Sequence, residues 1–188
     1  MAKTEPMRRY LVLATATALL LAMAAPQATA AGALKRLGDD PSNDGPPALD
    51  ISYLEVGAAA KKLEVRIGIE TMLPGTGGYP ALPGIEWIFD LGGRTFLAEA
   101  VADSEPAFYL FELKGDAFTQ LDSPTGTYDH ANGYASILIP FEDIGARSGM
   151  KVSGTGKKGT VDVDAHIHFG PQTYFADEMA TTKDFVIP

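Results

Sequence analysis

The chain has 188 residues, 46% of them hydrophobic, with no cysteine and 24 acidic against 15 basic side chains, for a net charge of −9 at pH 7. The lack of cysteine excludes disulfides, zinc-thiolate sites, thiol nucleophiles and a lipid anchor through an N-terminal cysteine. An acidic surface repels nucleic acid and anionic membranes and attracts cations, so no nucleic-acid partner is expected.

At the N-terminus, Arg8 and Arg9 precede an apolar run from Tyr10 to Ala25, followed by Pro26 and the small-x-small triplet Ala28-Thr29-Ala30. This order reads as a secretory signal peptide over residues 1–30. The run holds 16 residues, short of the roughly 20 that a membrane span needs, so cleavage is expected to leave no span in the mature chain. Met7 and Tyr10 match a twin-arginine motif only in part, and the general secretory route is the expected one. The protein is therefore expected to be secreted or held in the cell envelope. Loss of Lys3, Glu5, Arg8 and Arg9 takes the net charge from −9 to −11.

Ala31 to Pro47 is polar and rich in Gly, Pro and Asp. It is predicted to be a flexible acidic leader (31–47) before a single domain over residues 48–188. Asp39, Asp40, Asn43 and Asp44, followed by Asp50, set several hard oxygen ligands around turn residues, as calcium requires. Asp44 and Asp50 are the calcium candidates, although the spacing of an EF-hand loop is absent.

From Leu49 the patterning has a period of two. Strands are predicted over Leu49 to Val56, around Leu63 to Ile69, and over Ile85 to Leu91, Thr95 to Ala102, Ala107 to Leu113, Ala117 to Leu121 and Tyr134 to Pro140. The firmest is the second, where Leu63, Val65, Ile67 and Ile69 alternate with Glu64, Arg66, Gly68 and Glu70. Leu73 to Gly84 is too rich in Gly and Pro for a regular element and is predicted to be a rim loop carrying Tyr79. Helix is expected only as a turn at Phe141 to Gly145 and at Ala176 to Thr181. Many short strands with little helix predict an all-β fold, an antiparallel β-sandwich of jelly-roll-like or immunoglobulin-like type.

Gly92-Gly93 reads as a two-residue hairpin turn. Counting outward from it pairs Phe89 with Phe96, Trp87 with Ala98 and Glu86 with Glu99, with Trp87, Phe89 and Phe96 on the core face. Glu86 and Glu99 are then directly opposed like charges, which solvent, a cation or a basic group must relieve.

Gly154 to Gly159 matches Gly-x-Gly-x-x-Gly, but a strand pattern follows it where phosphate binding needs a helix N-terminus, so no nucleotide is expected. That strand, Thr160 to Phe169, alternates Asp162, Asp164, His166 and His168 with Val161, Val163, Ala165, Ile167 and Phe169. His-x-His on a strand puts two imidazoles on one face, and a carboxylate or a third ligand from a neighbour would complete a site for zinc or another transition metal. Asp162 and Asp164 are the nearest such groups; Asp129, His130, Asp177 and Glu178 are further donors. A solvated strand face is the plain alternative. Among the tyrosines, Tyr79 and Tyr128 are the ligand-binding candidates, with Glu86 and Glu99 as carboxylates for the same role. No nucleophile motif is present, so no catalytic residue is assigned.

Four stretches together carry a resemblance: Pro47-Ala-Leu-Asp-Ile-Ser, Leu63-Glu-Val-Arg-Ile, Ile85-Glu-Trp-Ile-Phe and Ile139-Pro-Phe-Glu-Asp-Ile-Gly145. In these the chain resembles secreted β-sandwich domains of the DOMON and family 9 carbohydrate-binding-module type, over most of Asp44 to Pro140. The resemblance implies a sandwich that binds a sugar or, in some DOMON members, haem, with structural calcium near the lead-in. The methionine and histidine that ligate haem in such members have no match here, and haem is not expected. A non-enzymatic binding module for a carbohydrate or cell-envelope component, stabilised by a divalent cation, is the leading expectation. The alternatives are a small metal-dependent hydrolase built on residues 162–168 and a structural surface protein without catalysis.

Overall fold

The computed structural model describes residues 33–40, 50–70, 81–102, 105–122, 124–153, 161–169, 172–181 and 183–188; within these, 81–83, 161–169 and 172–177 are described by their backbone pairing. The predicted signal peptide, Asp44 and Tyr79 lie outside the described residues.

The chain forms two antiparallel sheets, an all-β sandwich-like fold. The strands are β1 (Lys35–Asp39), β2 (Ile51–Ala59), β3 (Lys62–Ile69), β4 (Ala81–Leu91), β5 (Arg94–Val101), β6 (Ala107–Lys114), β7 (Ala117–Gln120), β8 (Thr125–Asp129), β9 (Tyr134–Pro140), β10 (Lys151–Ser153), β11 (Val161–Phe169), β12 (Gln172–Thr181) and β13 (Phe185–Val186). The first sheet, A, has the order β1-β2-β3-β9-β8, and the second, B, β12-β11-β4-β5-β6-β7, with β10 pairing both β4 and β13. One helical turn, α1 (Phe141–Ile144), follows β9 where the sequence predicted it, and Gly145 closes it at a φ of 68°, a left-handed position that glycine adopts without steric cost.

The alternation explains the layers. Leu63, Val65, Ile67 and Ile69 of β3 face inward and are at most 3% exposed, while Glu64 and Arg66 point outward, as a one-face-buried strand requires. From sheet B, Trp87, Phe89 and Phe96 meet them at 0% exposure. The predicted hairpin register holds pair by pair, Phe89 opposite Phe96, Trp87 opposite Ala98, Glu86 opposite Glu99. Gly92 and Gly93 sit at φ of 61° and 79°, the mirror-image turn that suits the twist of the flanking strands. Trp87 stacks on Phe89 at 4.1 Å between ring centroids, and Phe89 on Phe96 at 5.4 Å.

Three readings are corrected. The leader expected to stay irregular contains β1, which pairs with β2 and carries Leu37 at 0% exposure. Burial of Leu37 outweighs the Gly, Pro and Asp around it. Ala176 to Thr181, expected as helix, belongs to β12, paired along its length with β11. Ladder hydrogen bonds to an existing sheet override a weak local helix preference. Of the loop predicted from Leu73 to Gly84, Ala81 to Gly84 belong instead to β4, where Ala81 pairs with Phe169 of β11, and residues 73–80 lie outside the described residues.

A polar clamp ties sheet B to α1. Arg94 donates from Nε to Glu112 Oε1 and from Nη2 to Glu112 Oε2, both at 2.9 Å, and from Nη1 to the Ile144 carbonyl at 3.3 Å. This two-pronged hydrogen bonding holds the Glu112 carboxyl down at about 2, and such forks are the stronger form of ion pair. A folded value below the unfolded one, about 4.3, means stability that is present above that value and is lost as pH falls through the folded one. The melting temperature of the parent should therefore drop more steeply between about pH 4.5 and pH 2 than that of Glu112→Gln. Parallel curves in a melt series over that window would show that the clamp contributes nothing.

Candidate functional site

The acid-and-imidazole strand is β11, an interior strand held between β12 and β4. Backbone register sets Asp162 beside Ile88 and Ala180, Asp164 beside Glu86 and Glu178, His166 beside Gly84 and Phe175, and His168 beside Leu82 and Thr173. A register shift between Ala165 and His166 interrupts the alternation on the β12 side, as a bulge does. Glu86 in turn opposes Glu99, and Glu99 opposes Tyr109. Positions 178, 164, 86 and 99 thus form an acidic row across four adjacent strands. Because Ile85, Trp87 and Phe89 face the core, Glu86 lies on the outer face of sheet B, and Glu99 there is 8% exposed. Among the described residues no three His, Asp or Glu side chains converge as metal ligands. The side chains of Asp162, Asp164, His166 and His168 lie outside that set.

At the calcium candidate, Asp50 immediately precedes β2 and is 2% exposed, and its carbonyl accepts from the Glu70 amide at 2.9 Å. Asp39 is engaged by Arg36 at 3.0 Å, and the Asp40 amide donates to the Ser52 carbonyl. These contacts bring the end of β1, the start of β2 and the end of β3 together.

At that end of sheet A lies a cleft of about 460 Å³, lined by Ser52, Tyr53, Ile69, Glu70, His130, Ala131, Asn132 and Gly133. Its floor is the junction of β3 with the β8–β9 turn, where the Ile69 amide donates to the Gly133 carbonyl at 2.9 Å. Gly133 has a φ of 66°, and a Cβ there would come within 2.9 Å of the Ile69 carbonyl oxygen. Glycine is required on both counts. Asp129 organises the turn by accepting from the Asn132 amide at 3.1 Å and from Asn132 Nδ2 at 2.8 Å. These hydrogen bonds, with one from Tyr134, hold the Asp129 carboxyl below the ordinary carboxylate range.

One face of the Tyr53 ring is covered by the Arg36 guanidinium at 3.9 Å from the centroid, and the ring's edge occupies the space that Gly68 leaves without a side chain. Burial, then the Glu55 charge, pushes the Tyr53 phenol up, so it remains a hydrogen-bond donor near neutral pH. The nearby cations are engaged: Arg36 by Asp39 and by Glu55 at 3.5 Å, and Arg66 by Glu64 at 3.1 Å and by the Tyr134 ring at 4.3 Å.

Of the residues singled out from the sequence, His130 lines the cleft, while Tyr128 does not. Tyr128 packs against the core with its ring centroid 5.9 Å from that of His130, and burial, then the Glu99 charge, raises its phenol. Its place is beneath the turn, not in the rim. Tyr53, Ser52, Glu70 and Asn132 were not singled out for the site they share. The Asn132-Gly133 dipeptide was the available signal, since it marks a hairpin tip beside a tyrosine and a histidine. No protein-family model, curated protein or solved structure matches this chain.

Proposed function

We propose that this chain is an exported, non-enzymatic binding module that takes a carbohydrate or a glycan of the cell envelope in the cleft at the end of sheet A. One observation carries the reading. The largely polar cleft joins a phenol, a carboxylate, an imidazole and a side-chain amide on strand ends and a turn that Asp129 and Gly133 hold in place. Its volume of about 460 Å³ falls within the range of small-molecule sites, with room for about one or two sugar rings. Polar groups fixed before the ligand arrives reduce the ordering cost of binding. The signal-peptide pattern of residues 1–30 supports export, and the DOMON-type resemblance supports a sugar as ligand.

Titration of the mature protein with a panel of oligosaccharides, followed by amide chemical shifts, tests the reading. Shifts should cluster at Ser52, Glu70 and 130–133. His130→Ala should weaken binding by about two- to tenfold, the worth of one hydrogen bond, while leaving the melting temperature nearly unchanged, because His130 is exposed. Shifts scattered elsewhere would remove the cleft as the site.

A second reading, a cation held along β11 and β4, draws on the register that sets Asp164 beside Glu86. A metal ion at opposed carboxylates would relieve their repulsion, and His166 or His168 would favour zinc over calcium. Metal content by mass spectrometry, with melts in chelator, calcium and zinc, decides it. Loss of bound metal in His166→Ala/His168→Ala would support the metal site, and a metal-free protein indifferent to chelator would end it.

A further inference from the structure

We infer that the cleft prefers a cationic sugar, carrying a free amino group, over its N-acetylated and acidic counterparts; this rests on the binding-module reading above. Among the described residues Glu70 is the one carboxylate that lines the cleft. It is exposed, and among the described residues it makes no ion pair. In the adjoining turn, the Asp129 carboxylate is committed to Asn132. An anionic sugar would meet the Glu70 charge on a chain of net charge −9, while both arginines of this region, Arg36 and Arg66, are already bound to acids. An ammonium group would instead gain a carboxylate partner.

The aromatic surface argues in the same direction. A neutral pyranose gains much of its affinity by laying its C–H face on an aromatic ring. Here one face of Tyr53 is taken by Arg36 at 3.9 Å, and among the described residues Tyr53 is the only tyrosine, tryptophan or phenylalanine lining the cleft. Discrimination therefore falls to polar and charged groups, of which Glu70 supplies the negative charge.

The test is calorimetric titration of the mature protein, at low ionic strength, with the β-1,4-linked glucosamine tetramer, its N-acetylated form and a galacturonate tetramer. The glucosamine tetramer should bind about two- to fivefold more tightly than the N-acetylated one, the range of an exposed ion pair. Galacturonate should bind weakest. Glu70→Gln should abolish the amino-sugar advantage, and Glu142→Gln should retain it. Glu142 is an exposed acid beyond the far end of β9, so it controls for net charge alone. Equal affinity for the first two sugars, or an advantage that survives Glu70→Gln, would overturn the inference and leave the binding module standing. No binding of any saccharide at the cleft would overturn both.

Discussion

Trp87→Ala is expected to cost about 3–5 kcal/mol of folding stability. Trp87 is 0% exposed, stacks on Phe89 at 4.1 Å and sits on a central strand opposite Ala98. The facing alanine cannot swell to fill the void, so the indole's contacts are lost outright. A loss of that size is a large part of the roughly 5–15 kcal/mol that holds a domain folded. The measurement is urea unfolding followed by far-UV circular dichroism, because Trp87 is the chain's one tryptophan and its removal deletes the fluorescence probe. Trp87→Phe separates two terms. The indole Nε1 is buried with no hydrogen-bond partner, and an unsatisfied buried donor costs about 1–3 kcal/mol. Phenylalanine gives up volume but removes that penalty, so it should cost less than half as much as alanine. If alanine shifted stability by under about 1 kcal/mol, Trp87 would not anchor the inter-sheet core.

The same residue shows why much of the fold was legible. The register of β4 and β5 followed from two adjacent glycines, because a two-residue turn leaves no freedom in how the strands beyond it pair. With register set, alternation separated Trp87, Phe89 and Phe96 from Glu86 and Glu99, and the opposed carboxylates were recovered as drawn. Strands without a clean period were harder. β12 runs through Ala176-Asp-Glu-Met-Ala-Thr, where acidic and small residues suit a helix as well as a strand; its ladder to β11 decides, and nothing local records that ladder. β1 was hidden because a strand of five residues at a sheet edge needs only one large buried side chain, Leu37.

The cleft was less legible than the fold, for a reason of chain separation. Tyr53, Glu70 and His130 come from β2, the position just past β3 and the β8–β9 turn, and no spacing rule connects them. They meet because β9 returns beside β3 and brings the turn onto Ile69. The sequence favoured β11 instead, where four titratable residues follow one another at period two, since local periodicity is visible without a fold. Tyr128 illustrates the same limit. Its neighbours Asp129 and His130 suggested a rim, yet alternation along β8 turns Tyr128 inward with Gly126, whose lack of a side chain makes room for Phe108.

Removing the β1 strap should be nearly as damaging as opening the core. Leu37 is 0% exposed, and its carbonyl accepts from Thr181 Oγ1 at 2.7 Å. Lys35 Nζ donates to the Asp184 carbonyl at 3.1 Å, so β1, an edge of sheet A, is hydrogen-bonded to the β12 edge of sheet B and to the segment beyond it. The approach is close: a Cβ at Gly38 would lie 3.3 Å from Met179 Cε. Leu37→Ala should therefore cost about 2–5 kcal/mol. Thr181→Val keeps the shape and removes the hydroxyl, leaving a buried carbonyl unsatisfied, and should cost about 1–3 kcal/mol. The two residues share a contact, so the double variant should fall short of the sum. Urea midpoints of the parent, both single variants and the double variant check this, with Trp87 fluorescence as probe. If all three variants stayed within about 0.5 kcal/mol of the parent, β1 would be an ornament on an already closed sandwich, and the close contact between Leu37 and Thr181 would carry no share of its stability.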